Sequence, residues 1–570
     1  MRDTFAFRIR LISFFILCLG GLFGLKLFWL QIIHGHEYSD QADHQYVTPE
    51  GSQFDRGTIF FKKKNGELVS AASLLRGFTA AMNPKTITDP EGAFTKLASV
   101  IPDLNHDAFI AQANKKDDPY EEIATRLTED QAKQIKDLGI AGITLYRMSS
   151  RFSPLGTLAP HAIGFVSYKG KDLVGRYGIE RSYNDVLSRT ESRLYVNFFA
   201  EVFGHLTELS SDQSPTEGDV VTNIEPSVQA SLQSELDLTK ERWNSDRVSG
   251  IIMDPKTGKV IAMASSPGFD INDFKSQPSV SIFNNPLVES SFEMGSIMKP
   301  IIMSIAIDQG AVTADTRYTD YGFVKVGDRT IYNFDKKGRG NVDMQTVLNQ
   351  SLNTGMVFVM SKMERPKFRD QFVQFGFPDK TGIDLPGEVG GITSNLKSNR
   401  EVEYANISFG QGVAVTPIGM IRAMSALANG GKLVTPQMVD SIEYMDGSKK
   451  VINPVIGAQV IKPETSAEIT RMLVTVFDNY FNGEKKMQHY SIAAKTGTAQ
   501  IANHETGGYY SDRNLHTFVG YFPAYDPKFI VFLMNEYPKN GAQFSSQTLI
   551  DPFLNLTKFL INYYNIPPDR

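Results

Sequence analysis

Ser296 and Lys299 stand three residues apart in the segment Glu293-Met294-Gly295-Ser296-Ile297-Met298-Lys299-Pro300. Proline is tolerated in the first turn of a helix but not deeper, so Pro300 followed by Ile301, Ile302 and Met303 places a helix start at about Ser296. A serine at that point sits among backbone N–H groups that lack a helical partner and can stabilise an oxyanion. A lysine three residues on falls on the same face, with β-carbons about 5 to 6 Å apart. Burial would disfavour its charged form, and a neutral amine can take the serine proton. The pair predicts a serine nucleophile, Ser296, with a lysine base, Lys299.

The spacing is weak on its own, because S-x-x-K is expected roughly two times by chance in a chain of this length and average composition. A second copy, Ser394 to Lys397, follows Gly390 and Gly391 with no apolar helical run behind it and reads as a surface loop. Two further segments give the first copy its meaning. Ser351-Leu352-Asn353 brings a hydroxyl and an amide to the turn of a helical region, a bare pattern that Ser182-Tyr183-Asn184 also satisfies. Lys495-Thr496-Gly497-Thr498 continues a β-run from Tyr490 to Ala494. Its competitors, Lys256 to Gly258 and Lys380 to Gly382, fall in a hairpin turn and in a loop with glycine and proline, and neither is followed by a second threonine. A strand edge at Lys495 to Thr498 could pair with an extended peptide, and the hydroxyls of Thr496 and Thr498 could bind a terminal carboxylate. Lys495 adds a second cation that would help keep Lys299 neutral.

These positions need a scaffold to bring them together, and the chain is long enough for one. At 570 residues, 41% hydrophobic and 21% charged, it has room for two to four domains. A net charge of -5 gives no basic footprint for nucleic acid. The single cysteine, Cys18, excludes an intrachain disulfide, and the nine histidines show no metal-ligand spacing, so neither metal nor cofactor is expected. From Leu11 to Leu25 the chain is apolar or glycine apart from Ser13, and after Lys26 the run resumes to Ile33. That length predicts a transmembrane helix over 10–33, preceded by a cytoplasmic tail, 1–9. Arg2, Arg8 and Arg10 would hold the N-terminus inside and export the remainder. The run exceeds a signal-peptide core and lacks a small-residue cleavage site after it.

Residues 34–219 are charged and mixed, with a strand signal at Thr58 to Phe61, a helical pattern over Glu121 to Leu138, and a polar boundary at His205 to Asp219. From 220 onward a helix is predicted over Pro226 to Trp243, then a hairpin from Val248 to Asp254 and Lys259 to Ser265. Helical stretches follow at Pro300 to Gln309, Met344 to Met363, Pro417 to Asn429 and Glu464 to Phe477, with late strands near Tyr490 to Gln500, Thr517 to Tyr521 and Phe529 to Met534. The pattern predicts an α+β fold with an antiparallel sheet covered by helices.

Taken together, S-x-x-K, S-x-N and K-T-G in this order resemble the class B penicillin-binding proteins. The resemblance covers essentially the whole chain. Arg56-Gly57-Thr58-Ile59 and Gly178-Ile179-Glu180 are similar to R-G-x-I and G-I-E of the family's pedestal, and Gly250 to Asp270 resembles the segment opening its catalytic sheet. Gly507-Gly508-Tyr509 and the stretch from Thr517 to Pro527 resemble the division-specific branch more than the elongation branch. Two departures stand out: Lys63-Lys64-Asn65-Gly66 replaces the frequent D-R-N-G, and Ala494 replaces a common glycine, which would add a methyl beside the acyl pocket.

The resemblance implies a pedestal at 34–219 and a penicillin-binding, β-lactamase-like transpeptidase domain at 220–570. It implies that Ser296 attacks the penultimate D-alanine carbonyl of a stem pentapeptide with Lys299 as base, that Ser351 relays a proton to the leaving amine, and that Asn353 holds the substrate amide. Lys495 would complete the catalytic set, Thr496, Gly497 and Thr498 would bind the substrate, the N–H groups of Ser296 and Thr498 would form the oxyanion hole, and β-lactams would acylate Ser296. The implied setting is the cytoplasmic membrane, at the division septum, beside a membrane glycan polymerase and other division proteins. A D,D-carboxypeptidase, a β-lactamase-type hydrolase, or a β-lactam sensor or scaffold without catalysis are the alternatives. No carboxylate that would activate a deacylating water is identifiable from the sequence, and only about ten residues precede the span where a sensor would carry a signalling domain.

Overall fold

Apolar alternation after Arg56 produces strands. β1 (Ile59–Lys62) turns into the long β2 (Leu68–Met82) at Asn65 and Gly66, where Gly66 takes a φ of 87°, a left-handed value that glycine adopts without penalty. The structure, a computed structural model, describes residues 20, 26, 55–170, 172–189, 216–503 and 507–570. The chain divides into two units, 1–54 and 55–570. The anchor predicted over 10–33 lies outside the described residues apart from Gly20 and Lys26, as does most of the boundary at 205–219. Among the described residues no helix is long and apolar enough to cross a membrane.

The stretch 121–138, where the residue pattern predicts one helix, holds strand β3 (Glu121–Leu127) and helix α1 (Glu129–Asp137). Thr128 is the reason. Its hydroxyl accepts the N–H of Gln131 while the Gln131 side chain accepts the N–H of Thr128, a capping box that starts the helix late. The residues before it pair with β2 instead, next to β4 (Ile143–Phe152). β5 (Gly218–Thr222) then runs parallel to β1.

α2 (Pro226–Trp243), β6 (Arg247–Met253) and β7 (Val260–Ser266) fall where the sequence places them. α3 (Lys299–Asp308) follows the nucleophile segment. An insertion comes next: β8 (Arg317–Asp320) pairs with β11 (Gly340–Asp343) around the hairpin of β9 (Phe323–Val326) and β10 (Arg329–Tyr332). The single helix predicted over Met344 to Met363 is two, α4 (Met344–Asn349) and α5 (Asn353–Ser361), broken at Ser351, whose φ is 53°. Later elements that frame the site include α6 (Pro417–Ala428), β12 (Val439–Tyr444), β13 (Lys449–Val451), α7 (Pro463–Asp478), β14 (Ala493–Ala502), β15 (Tyr509–Phe522), β16 (Phe529–Glu536) and α8 (Ser545–Tyr564).

Two sheets organise these elements. The predicted antiparallel sheet has five strands in the order β14-β15-β16-β6-β7, which leaves β14, the strand of Lys495, at an edge. Val228 and Leu232 of α2 with Leu549, Phe553 and Leu556 of α8 bury one face; the other faces the core that includes Ile301, Ile302, Met420 and Leu473. A seven-stranded sheet runs β13-β12-β5-β1-β2-β3, with β4 also on β2. β5 crosses position 219/220, and β12 and β13 join it from far along the chain, so pedestal and catalytic part share one backbone ladder.

The two pedestal motifs meet in a buried ion cluster. Arg56 Nε lies 2.6 Å from Glu180 Oε2 and Arg151 Nε 2.5 Å from Glu180 Oε1. Arg56 also donates to Glu180 O, Asn184 Oδ1 and Ser188 Oγ, and Arg151 to Gly57 O. The S-x-N look-alike at Ser182 to Asn184 belongs to this structural cluster.

Candidate active site

Ser296 lies on a 3-10 turn, Gly295–Met298, that runs directly into α3. The N–H of Lys299 donates to the carbonyl oxygen of Ser296, an i to i+3 bond, and in that geometry side chains at i and i+3 eclipse each other. The helix start predicted at Ser296 is thus a tighter turn, which puts the side chains of Ser296 and Lys299 on one face. Ser296 is half-buried, and its hydroxyl carries no protein hydrogen bond among the described residues.

Lys299 is fully buried, and its Nζ lies 2.6 Å from Ser351 O, 2.8 Å from Asn353 Oδ1 and 3.2 Å from Ser351 Oγ. The left-handed break at Ser351 turns both its carbonyl and its hydroxyl toward the lysine. Lys495, also buried, sends its Nζ to within 3.1 Å of the same Ser351 Oγ. Ser351 Oγ therefore sits between two amines. Burial holds Lys299 well below the usual lysine range, and the neighbouring Lys495 pushes in the same direction. Lys495 is brought down to about 7, by burial. A neutral amine at 299 donates two protons, to Ser351 O and Asn353 Oδ1, and keeps a lone pair to accept one.

β14 carries the remaining predicted residues. Neighbouring residues of an edge strand alternate between facing the ladder and facing outward. The N–H of Thr496 donates to Tyr480 OH at 3.0 Å, so it points away from β15, and the N–H of Thr498 shares that direction. The predicted free edge is therefore partly taken: Tyr480 caps Thr496, and Thr498 keeps the outward donor. Thr498 Oγ1 accepts from Ser545 N at 3.1 Å and retains its own proton for a ligand, and Thr496 Oγ1 shares a hydrogen bond with Tyr480 OH at 3.2 Å. Gly497 is required by close approach, because a Cβ there would lie 2.7 Å from Met294 O and 3.0 Å from Ile297 N. Only a strand without a side chain at 497 can lie against the turn of Ser296.

Ala494 departs from expectation. It is buried in the core beneath α8, against Phe518 and Phe553, and its Cβ faces Gly520. The methyl group points away from the acyl pocket, because Ala494 and Lys495 alternate across the sheet. The look-alike segments lie elsewhere: Lys397 is exposed on the short turn Ser394–Lys397, Gly258 occupies the turn between β6 and β7, and Thr381 is bound to Glu388.

Three further residues border the site without a clear signal in the sequence. Glu293 accepts Tyr509 OH at 2.8 Å and Gly412 N at 2.8 Å, and burial raises its carboxyl above the usual range. Tyr509, singled out above only for resemblance to the division branch, thereby fastens β15 to the nucleophile segment. Thr517 Oγ1 donates to Met294 O at 2.9 Å from the same strand.

The sequence matches the profile described as the Penicillin binding protein transpeptidase domain over residues 248–555, and the Penicillin-binding Protein dimerisation domain over residues 55–222. The chain belongs to the class B penicillin-binding proteins. It is 30% identical over 531 residues to Stage V sporulation protein D of Bacillus subtilis, covering 91% of this chain and 80% of that one. It is 27% identical to the Peptidoglycan D,D-transpeptidase FtsI homolog of Mesostigma viride, covering 78% of each. The crystal structure of penicillin binding protein 3 of Mycobacterium tuberculosis with aztreonam has the same fold, with a TM-score of 0.69 and 22% identity over 91% of this chain and 98% of that one. In the family frame the dimerisation domain supplies five strands of the seven-stranded sheet, β1 to β5, and the transpeptidase domain supplies β12 and β13 and holds Ser296, Lys299, Ser351, Asn353 and Lys495.

Proposed function

We propose that this chain is a peptidoglycan D,D-transpeptidase of septal cell-wall synthesis, and that Ser296 is its nucleophile. The observation that carries the reading is the buried Lys299, on the same face of the 3-10 turn as Ser296 and touching Ser351 and Asn353. Ser296 Oγ attacks the penultimate D-alanine carbonyl and its proton passes to Lys299. The Ser296 and Thr498 N–H groups bind the oxyanion. When the peptide C–N bond breaks, Ser351 passes a proton to the departing D-alanine amine, and an ester joins the donor peptide to Ser296. An amine from a second stem peptide then forms a new amide, the ester breaks, and Ser296 regains its proton. Thr496 and Thr498 hold the donor's carboxylate, and Gly497 keeps the strand close. Relatives named peptidoglycan D,D-transpeptidases support the chemistry.

The setting follows from the sequence features. The apolar run at 10–33 anchors the chain in the cytoplasmic membrane with its N-terminus inside, 34–219 form the pedestal and 220–570 the catalytic domain. The likeness of the Gly507 to Pro527 stretch to the division branch supports a septal role beside a membrane glycan polymerase. Glu293, the carboxylate three residues before Ser296, is held by Tyr509 and Gly412, which favours acyl transfer to an amine over hydrolysis. A stem pentapeptide supplied with a D-amino acid acceptor tests the reaction. The expected product is the exchanged peptide with D-alanine released. Release of D-alanine with only the shortened peptide would instead make the enzyme a carboxypeptidase.

A further inference from the structure

Asp320, at the end of β8, is a buried carboxylate in the insertion between α3 and α4, and its bonds converge on the helix that starts at Asn353. Its oxygens accept the N–H of Gly322 at 3.0 Å, the N–H of Arg339 at 3.1 Å, the side-chain amide of Asn333 at 3.0 Å to each oxygen, and the hydroxyl of Thr354 at 2.8 Å. Thr354, the neighbour of Asn353, has its N–H 3.2 Å from Asn333 Oδ1, and its Oγ1 lies 3.1 Å from Tyr318 OH. With the Thr354 proton on the carboxylate, Tyr318 is the donor of that last bond. Asn353 donates Nδ2 to the carbonyl of Tyr332 at 3.0 Å. Asn353 and Thr354 are thus tied to the consecutive residues Tyr332 and Asn333.

These ties decide which way the Asn353 amide faces. With Nδ2 on Tyr332 O, Oδ1 faces Lys299 Nζ at 2.8 Å. Rotated by half a turn, the amide would set acceptor against acceptor at Tyr332, which is repulsive, and its N–H at Lys299 would occupy the lone pair that has to take the Ser296 proton. We propose that Asp320, Asn333 and Thr354 are positioning residues for acylation. They lock the insertion onto the first turn of α5, so that Asn353 turns its oxygen to Lys299 and keeps its second N–H for the substrate. The proposal rests on the reading of Ser296 as nucleophile.

The test is rapid-mixing kinetics with fluorescent penicillin over a range of concentrations, which separates the constant for reversible binding, K, from the acylation rate, k2. Thr354→Val keeps the shape and removes the hydroxyl. Its k2 should fall about tenfold to a hundredfold, as displaced catalytic groups do, with K unchanged. Thr354→Ser, which restores the hydroxyl, should recover most of the rate. A Thr354→Val protein that melts earlier yet keeps wild-type k2, or serine and valine variants that are equally slow, would overturn the proposal and leave the cluster a purely structural one. If the valine variant does not fold, Tyr318→Phe carries the same test by removing only the hydroxyl that donates to Thr354: a lower k2 at constant K supports the proposal, and an unchanged k2 overturns it. Failure of wild type to label at Ser296 would sink the underlying reading, whereas labelled wild type with unslowed variants sinks this inference alone.

Discussion

A lysine can act as a base only while neutral, and Lys299 is kept so by burial first and by Lys495 second. Lys299→Arg, which cannot lose its proton at accessible pH, should slow penicillin acylation by on the order of 100 to 10,000-fold. Lys397→Arg, on the exposed look-alike, should label as wild type does. Below its lowered pKa Lys299 is protonated and inactive, so the wild-type acylation rate should rise with pH through that value. Lys495→Ala removes a like charge, raises the pKa of Lys299 and should move the midpoint of the pH–rate curve upward. Gly497→Ala tests the close approach: its Cβ would lie 2.7 Å from Met294 O, and the strand must retreat from the nucleophile turn. Acylation should fall on the order of a hundredfold with the circular dichroism spectrum retained.

At the scale of elements, the helices that begin with proline, α2, α6 and α7, were legible because an early proline and an apolar period both point to the same start. α8 escaped because Pro552 lies inside it, where proline normally ends a helix, although Leu549, Phe553, Leu556 and Leu560 bury its face in the core. The turn at Ser351 was legible but its left-handed φ was not, since no glycine marks it; the conformation is held by the bonds of Ser351 to two lysines. The pedestal motifs read as a resemblance in the sequence, and the structure supplies their cause in Arg56, Arg151 and Glu180. Glu180→Ala would leave two buried guanidinium groups without their carboxylate. It should lower stability by about 3 to 5 kcal/mol in denaturant titration, and a change within error would show that the cluster does not hold the pedestal.

Across the whole molecule, the three catalytic segments could be ordered from sequence, but what holds them together could not. Tyr480 on Thr496, Tyr509 on Glu293 and Asp320 on Thr354 are long-range bonds with no local signature. Because β12 and β13 join the pedestal sheet, residues 55–570 should unfold in one transition rather than two. The buried lysines also set a pH dependence. With Lys495 near 7 when folded and near 10.4 when unfolded, the unfolded chain binds more protons between those values, so stability should rise with pH from about 7 to 9. The upper limit from Lys495 alone is about 1.4 kcal/mol per pH unit, and Lys495→Met should reduce the rise in the melting temperature. The central claim is tested most directly by mapping the covalent adduct after exposure to penicillin, using mass spectrometry of the digested protein. The account predicts one penicilloyl group, on the peptide containing Ser296, absent from Ser296→Ala and persisting long after free penicillin is removed. An adduct on Ser351 or Ser394, or one lost within seconds, would contradict it.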